Sequence, residues 1–210
     1  MEHPLARRGA GFCLLSVALL GVFLLRPGPG GPPAPQPRAA GPGAAAAEAV
    51  RAPVAGPLPR SAPRRLTVPA LGLDTALTPV GLGADGLITP PPPAAAGPAG
   101  WYTGAAAPGE RGTAVVVGHV DGPAGPAVFY PLGALERNSR IEVARADGST
   151  AVFSVYDVAV HPRRGFPAER VYRDGPGPEL RLITCGGRYA PGAGYDSNVV
   201  VSARLVATER

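Results

Sequence analysis

Residues 180–187 read Leu-Arg-Leu-Ile-Thr-Cys-Gly-Gly. The apolar and β-branched run Leu182-Ile183-Thr184 has the composition of a short strand. It delivers Cys185 at its end, with two glycines directly after. Similar runs recur on both sides, and strands are expected over Arg65–Leu73, Thr75–Leu82, Gly112–His119, Arg140–Ala146, Thr150–Val160, Leu180–Cys185 and Asn198–Val206. Val115-Val116-Val117 and Val199-Val200-Val201 are continuous apolar runs, the mark of strands covered on both faces. Ala146-Asp147-Gly148-Ser149 reads as a hairpin turn between two of the strands. Helical signals are confined to Ala127–Leu135 and Pro167–Tyr172. The expected fold is all-β: a closed barrel of seven to eight strands with a few short helices.

The N-terminal part has a different composition. Of 28 prolines in the chain, 19 fall in the first 100 residues. Residues 1–65 carry eight Arg against Glu2 and Glu48, a balance of +6; residues 66–210 carry twelve Arg against thirteen acids, a balance of −1. The chain's net charge of +5 therefore belongs to its tail, and a near-neutral folded part argues against nucleic-acid binding. Residues 1–8 form a short basic start. Gly9–Leu25 is an uncharged apolar stretch flanked by Arg7, Arg8 and Arg26, with no small-residue cleavage site behind it. It reads as a signal-anchor helix that crosses the membrane once and leaves the C-terminal domain outside. Residues 26–64, rich in Pro, Gly and Ala, have no means of building a core. They read as a linker that reaches about 120 Å at ~3.1 Å per residue. The domain is then expected over 65–210.

That domain contains one cysteine, Cys185; the other, Cys13, lies in the apolar stretch. An unpaired cysteine in an exported domain is a candidate reactive thiol. Gly186 and Gly187 would let a substrate backbone approach and would offer unhindered N–H donors to an oxyanion. His119 ends another apolar strand and is the matching acid–base candidate. His161, before a proline, is a weaker one, and Asp121 could orient His119. One Cys and one well-placed His do not supply three or four ligands, so neither a metal site nor a cofactor is expected.

Leu182-Ile183-Thr184-Cys185 and Gly118-His119 resemble the motifs of the sortases, cysteine transpeptidases of Gram-positive surfaces. The resemblance spans roughly residues 65–206. With Gly100-Trp101-Tyr102, Pro108-Gly109-Glu110, Gly118-His119-Val120-Asp121 and Thr184-Cys185-Gly186-Gly187, the chain looks most like the actinobacterial class E/F branch, class F in particular. The resemblance implies that Cys185 cleaves an LPxTG-like sorting signal on a surface protein through an acyl-thioester. His119 would then serve as acid and base, and a peptidoglycan-precursor amine as acceptor. It also implies a catalytic Arg at the start of the strand after the cysteine, a position that is Asn198 here. Arg181, four residues before Cys185 and on the same face of a strand, is the expected substitute; Arg188 and Arg170 are the alternatives.

Overall fold

The computed structural model describes residues 33–37, 55–84, 86–92 and 97–210. The apolar stretch 9–25 and most of the linker, including 38–54, lie outside the described residues. Among the described residues, no helix is long and apolar enough to cross a membrane.

The described residues form ten strands: β1 (Pro63–Val68), β2 (Leu73–Val80), β3 (Ala99–Tyr102), β4 (Gly112–Val117), β5 (Asp121–Gly122), β6 (Gly125–Pro126), β7 (Arg140–Arg145), β8 (Thr150–Pro162), β9 (Pro178–Ala190) and β10 (Gly194–Glu209). Eight of them close a barrel in the order β1-β2-β3-β4-β9-β10-β8-β7, while β5 and β6 form a separate small hairpin. Two neighbouring pairs are parallel, β2 with β3 and β4 with β9; the other barrel pairs are antiparallel. Among the described residues a short helix, α1 (Ala168–Tyr172), lies between β8 and β9, and 3-10 turns occupy Pro69–Leu71 and Tyr130–Ala134.

The barrel interior is filled by alternate residues, among them Leu66, Val116, Phe129, Ile141, Phe153, Leu180, Leu182, Val201 and Leu205. Each large side chain buried this way stabilises the fold by roughly 1.5–3 kcal/mol. A second cluster covers the outer face of the β4–β9–β10 sheet: Val115, Val117, Ile183 and Val200, closed over by Val171 of α1 and by Phe166. The Val runs of β4 and β10 are thus apolar because both of their faces are covered.

The structure revises several sequence expectations. The Arg65–Leu73 strand is interrupted, because Pro69 starts a 3-10 turn that reverses the chain into β2. Strands β3, β5 and β6 had no sequence counterpart. The packed unit also begins upstream of residue 65. Ala55 and Leu58 donate backbone hydrogen bonds to Leu205 and Gly109 at 3.2 and 2.8 Å. Arg60 bonds the carbonyls of Thr103 and Ala105 and the Glu110 carboxylate, and lies over the Trp101 ring. The buried Arg145 guanidinium donates to Pro59 O. A second piece of the proline-rich segment, Ala34–Pro37, also packs on the barrel. Pro35 O sits where a side chain on Gly133 would project, and Gln36 Oε1 accepts the Gly187 N–H at 3.2 Å.

Candidate active site

The parallel pairing of β4 with β9 places the two chemical candidates side by side. Val117 is opposite Ile183, and one step on the Gly118 N–H donates to Ile183 O at 3.1 Å. His119 and Cys185 are each two residues beyond that pair, the last of the β4–β9 ladder. Alternation puts both on the outer face, in line with Val115, Val117 and Ile183. His119 does not end β4 as expected but lies two residues past it, since β4 stops at Val117. Cys185 does not end its strand, since β9 continues to Ala190.

Immediately after Cys185 the strand becomes irregular. The β9–β10 register slips between the Ser197–Gly186 and Tyr195–Tyr189 pairs. Gly187 takes φ +79°, and a side chain there would run into Asp196 and Ser197. This is a bulge that only glycine accommodates. It turns the strand beside the thiol, and Gln36 occupies the exposed Gly187 N–H.

The half-buried Cys185 is a free thiol. Burial pushes its pKa up; the Arg163 charge pulls it down and the Asp121 charge pushes it up again. His119 Nε2 is 2.8 Å from Pro91 O. A carbonyl only accepts, so this nitrogen is the donor. Asp121 does not orient His119. It accepts a 2.6 Å hydrogen bond from the Tyr195 hydroxyl, whose pKa is raised by burial and by that carboxylate. The Tyr195–Asp121 bond ties the hairpin after His119 to the chain after Cys185.

The arginines fall out differently from expectation. Arg181 shares the Cys185 face, but its guanidinium points the other way along β9. It bonds Val171 O, Leu180 O and the Glu179 carboxylate, and lies over the Tyr156 ring. Arg188 is 96% exposed and pairs with Asp196. Arg170 sits on exposed α1. Arg163, which had no place among the expected site residues, is the arginine whose charge acts on Cys185. His161 stands in the same cross-strand row as Cys185, since Asn198 pairs with both. Burial lowers its pKa and the Arg170 charge adds to the effect.

A cavity of about 690 Å³ opens on the same outer face, lined by Tyr102, Thr113, Val115, Leu87, Ala168 and Tyr172 among others. Its lining also includes Arg60, Glu110, Arg111 and Asp174. It continues the line Val115–Val117–His119 away from the thiol. Among the described residues no cluster of side chains could hold a metal ion.

A half-buried free thiol and an imidazole, both beyond the Val117–Ile183 pair, are the groups that acyl transfer needs. The sortase domain family matches residues 66–206. The chain belongs to the sortase family. Its members are cysteine transpeptidases, and this chain is an enzyme of that class. Solved sortases share the fold. Listeria monocytogenes sortase A aligns at 15% identity with a TM-score of 0.53, covering 72% of this chain and 90% of that one. A lid mutant of Corynebacterium diphtheriae sortase A aligns at 19% identity and 0.52, covering 71% and 73%. Sortase C-1 of Actinomyces oris aligns at 21% identity and 0.50, covering 68% and 73%. No curated protein matches the chain in sequence.

Proposed function

We propose that this sortase is a membrane-anchored transpeptidase of the class F type. It would cleave an LPxTG-like sorting signal and pass the protein to an amine of a cell-wall precursor. The observation that carries the reading is that His119 and Cys185 each lie two residues beyond the Val117–Ile183 pair of two neighbouring parallel strands. A sorting signal laid across that face would bring its scissile carbonyl to the thiol.

The chemistry then runs in two halves. Cys185 Sγ bonds to the carbonyl carbon after the Thr of the signal, and the proton it gives up is held on His119. The tetrahedral adduct collapses as its C–N bond breaks, and His119 returns the proton to the departing amine. An incoming amine attacks the thioester, His119 takes its proton, and Sγ leaves. Burial of Cys185 keeps the resting thiol protonated, so proton transfer to His119 is coupled to substrate arrival.

Class F membership is supported by Gly118-His119-Val120-Asp121 and Thr184-Cys185-Gly186-Gly187. Anchoring is supported by the uncharged Gly9–Leu25 stretch behind Arg7 and Arg8. Full-length protein incubated with an LPxTG peptide, with and without a short amine such as triglycine, tests the activity by mass spectrometry. The expected products are a Cys185-linked acyl-enzyme and an amine-extended peptide. Hydrolysed peptide alone, with or without amine, would make the protein a thiol peptidase. No acyl-enzyme with any peptide of a sorting-signal library would overturn the reading. Retention in the membrane fraction after alkaline washing tests the anchor.

A further inference from the structure

No ladder pair of β4 extends past Val117, so the backbone of His119 has no strand to hold it. A proton passed between Cys185 and the imidazole needs the two groups in line, and a misplacement of about 1 Å costs roughly 10²-fold in rate. Other contacts must do what the ladder does not. Before His119, the Gly118 N–H donates to Ile183 O at 3.1 Å. After it, the Phe129 N–H donates to His119 O at 2.9 Å and the Ala127 N–H to Val120 O at 3.0 Å, and Phe129 is itself fully buried in the core. These bonds tie His119 to its own hairpin. They leave open what ties that hairpin to the strand of the thiol beyond Ile183.

The Tyr195 hydroxyl does so, donating to Asp121 Oδ2 at 2.6 Å. Asp121 lies two residues after His119. Tyr195 lies two residues before Ser197, which pairs with Gly186, the neighbour of Cys185. The Gly118–Ile183 and Tyr195–Asp121 bonds therefore bracket His119 and Cys185, one on the near side of both residues and one on the far side. An O–H to carboxylate bond of this length is charge-assisted, about twice as strong as a neutral one. Asp121 is exposed, so the bond rather than burial fixes it. Tyr195 is held on its own side: its backbone pairs with Tyr189, its ring packs on the Tyr189 ring with centroids 5.2 Å apart, and its carbonyl accepts Arg163 Nη1 at 3.3 Å.

We propose that Tyr195 is a positioning residue for His119. By holding Asp121, its hydroxyl closes the loop of chain that runs from the imidazole to the thiol and sets the one against the other. The assignment rests on the acyl-transfer reading of the site.

The test uses full-length protein in detergent and the variants Tyr195→Phe, Asp121→Asn, Asp121→Ala and His119→Ala, with Tyr195→Phe also placed on His119→Ala. For each, kcat and KM with a sorting peptide, the thermal midpoint, and hydrogen–deuterium exchange of the peptide covering residues 119–129 are measured. Tyr195→Phe removes one oxygen atom. It should lower kcat ~10–10²-fold, leave KM and the thermal midpoint in place, and speed exchange over 119–129, where the Ala127 and Phe129 amides report. On His119→Ala it should cost nothing further, because it acts through the imidazole. Asp121→Asn and Asp121→Ala both remove the charge, but only Ala removes the acceptor, so Asn should be the faster of the two. The assignment is overturned if Tyr195→Phe turns over within about twofold of the unaltered protein. It is equally overturned if Tyr195→Phe slows the His119→Ala protein by the same factor as the unaltered one, or if kcat falls only in step with the thermal midpoint. If the unaltered protein forms an acyl-enzyme with no sorting peptide, the transpeptidase reading fails. Exchange then decides the positioning role alone: faster exchange over 119–129 in Tyr195→Phe upholds it, and unchanged exchange overturns it.

Discussion

His119, just past β4, and Cys185, within β9, each lie two residues beyond the Val117–Ile183 pair of these neighbouring parallel strands. Each strand positions one side chain, and the Gly118–Ile183 hydrogen bond fixes the two strands against each other. Cys185→Ala should therefore abolish acyl-enzyme formation while leaving the barrel folded, because Ala removes a single half-buried atom. His119→Ala should retain the thiol and lose about 10²–10⁴-fold in turnover, the range for a positioned acid–base group. Intact-mass spectra with the sorting peptide check both. An acyl adduct on the Cys185→Ala protein would remove Cys185 from the mechanism.

The resting thiol should be reluctant to ionise. Burial is the largest influence on Cys185 and raises its pKa, so the thiolate fraction grows only on the alkaline side of an ordinary cysteine, whose pKa is about 8.5. Iodoacetamide labelling of Cys185 should rise through a midpoint above that value. Asp121→Asn removes a charge that opposes ionisation, so it should bring the midpoint down. A labelling rate already at its plateau at neutral pH would contradict the assignment of a buried, protonated thiol.

Gly187 combines a left-handed backbone conformation with no room for a side chain. With φ +79° and Asp196 and Ser197 against its Cα, Gly187→Ala has to distort the bulge. A residue forced into that region costs on the order of 1–3 kcal/mol. Turnover should fall more than thermal stability, because the distortion lies beside the thiol. Paired melting and acylation measurements would expose the opposite result, a stability loss with turnover intact.

The upstream segment should matter for stability. A fragment beginning at residue 65 lacks Pro59, whose carbonyl is the acceptor for the fully buried Arg145 side chain. It also lacks Leu58 and Arg60. Leaving a buried donor unpaired costs about 1–3 kcal/mol, more for a charged group. A fragment over 55–210 should therefore melt higher than one over 65–210, as differential scanning calorimetry can measure. Equal melting temperatures would mean that residues 55–64 only lie on the surface.

The barrel is legible in the sequence where apolar β-branched residues cluster, in β4, β8, β9 and β10. It is opaque at β3, whose four residues, Ala-Gly-Trp-Tyr, come after a proline-rich loop and gain strand geometry only from the edges of β2 and β4. Residues 55–62 read as linker because proline prevents helix and ladder donors alike. Proline keeps its carbonyl, however, and a buried arginine needs only an acceptor. The pairing of Cys185 with His119 is visible from two strands that carry chemical side chains at matching positions. The arginine is not. Alternation puts Arg181 on the right face, but the direction of a long side chain is set by distant partners, here Glu179, Val171 and Tyr156. Arg163 lies after a proline in what reads as a loop, and only the β8–β10 register brings it alongside Asp196 and Tyr195 of β10.

The parallel contact between β4 and β9 also orders events as the chain folds. No tight turn can join parallel strands, and His119 and Cys185 lie 66 positions apart, with β7 and β8 in the chain between them. Such long-range pairings form late, because the closure entropy of the intervening chain is lost before the contact rewards it. A partly folded chain thus carries a thiol with no imidazole beside it, and the nucleophile gains its proton partner only when the sheet closes on itself.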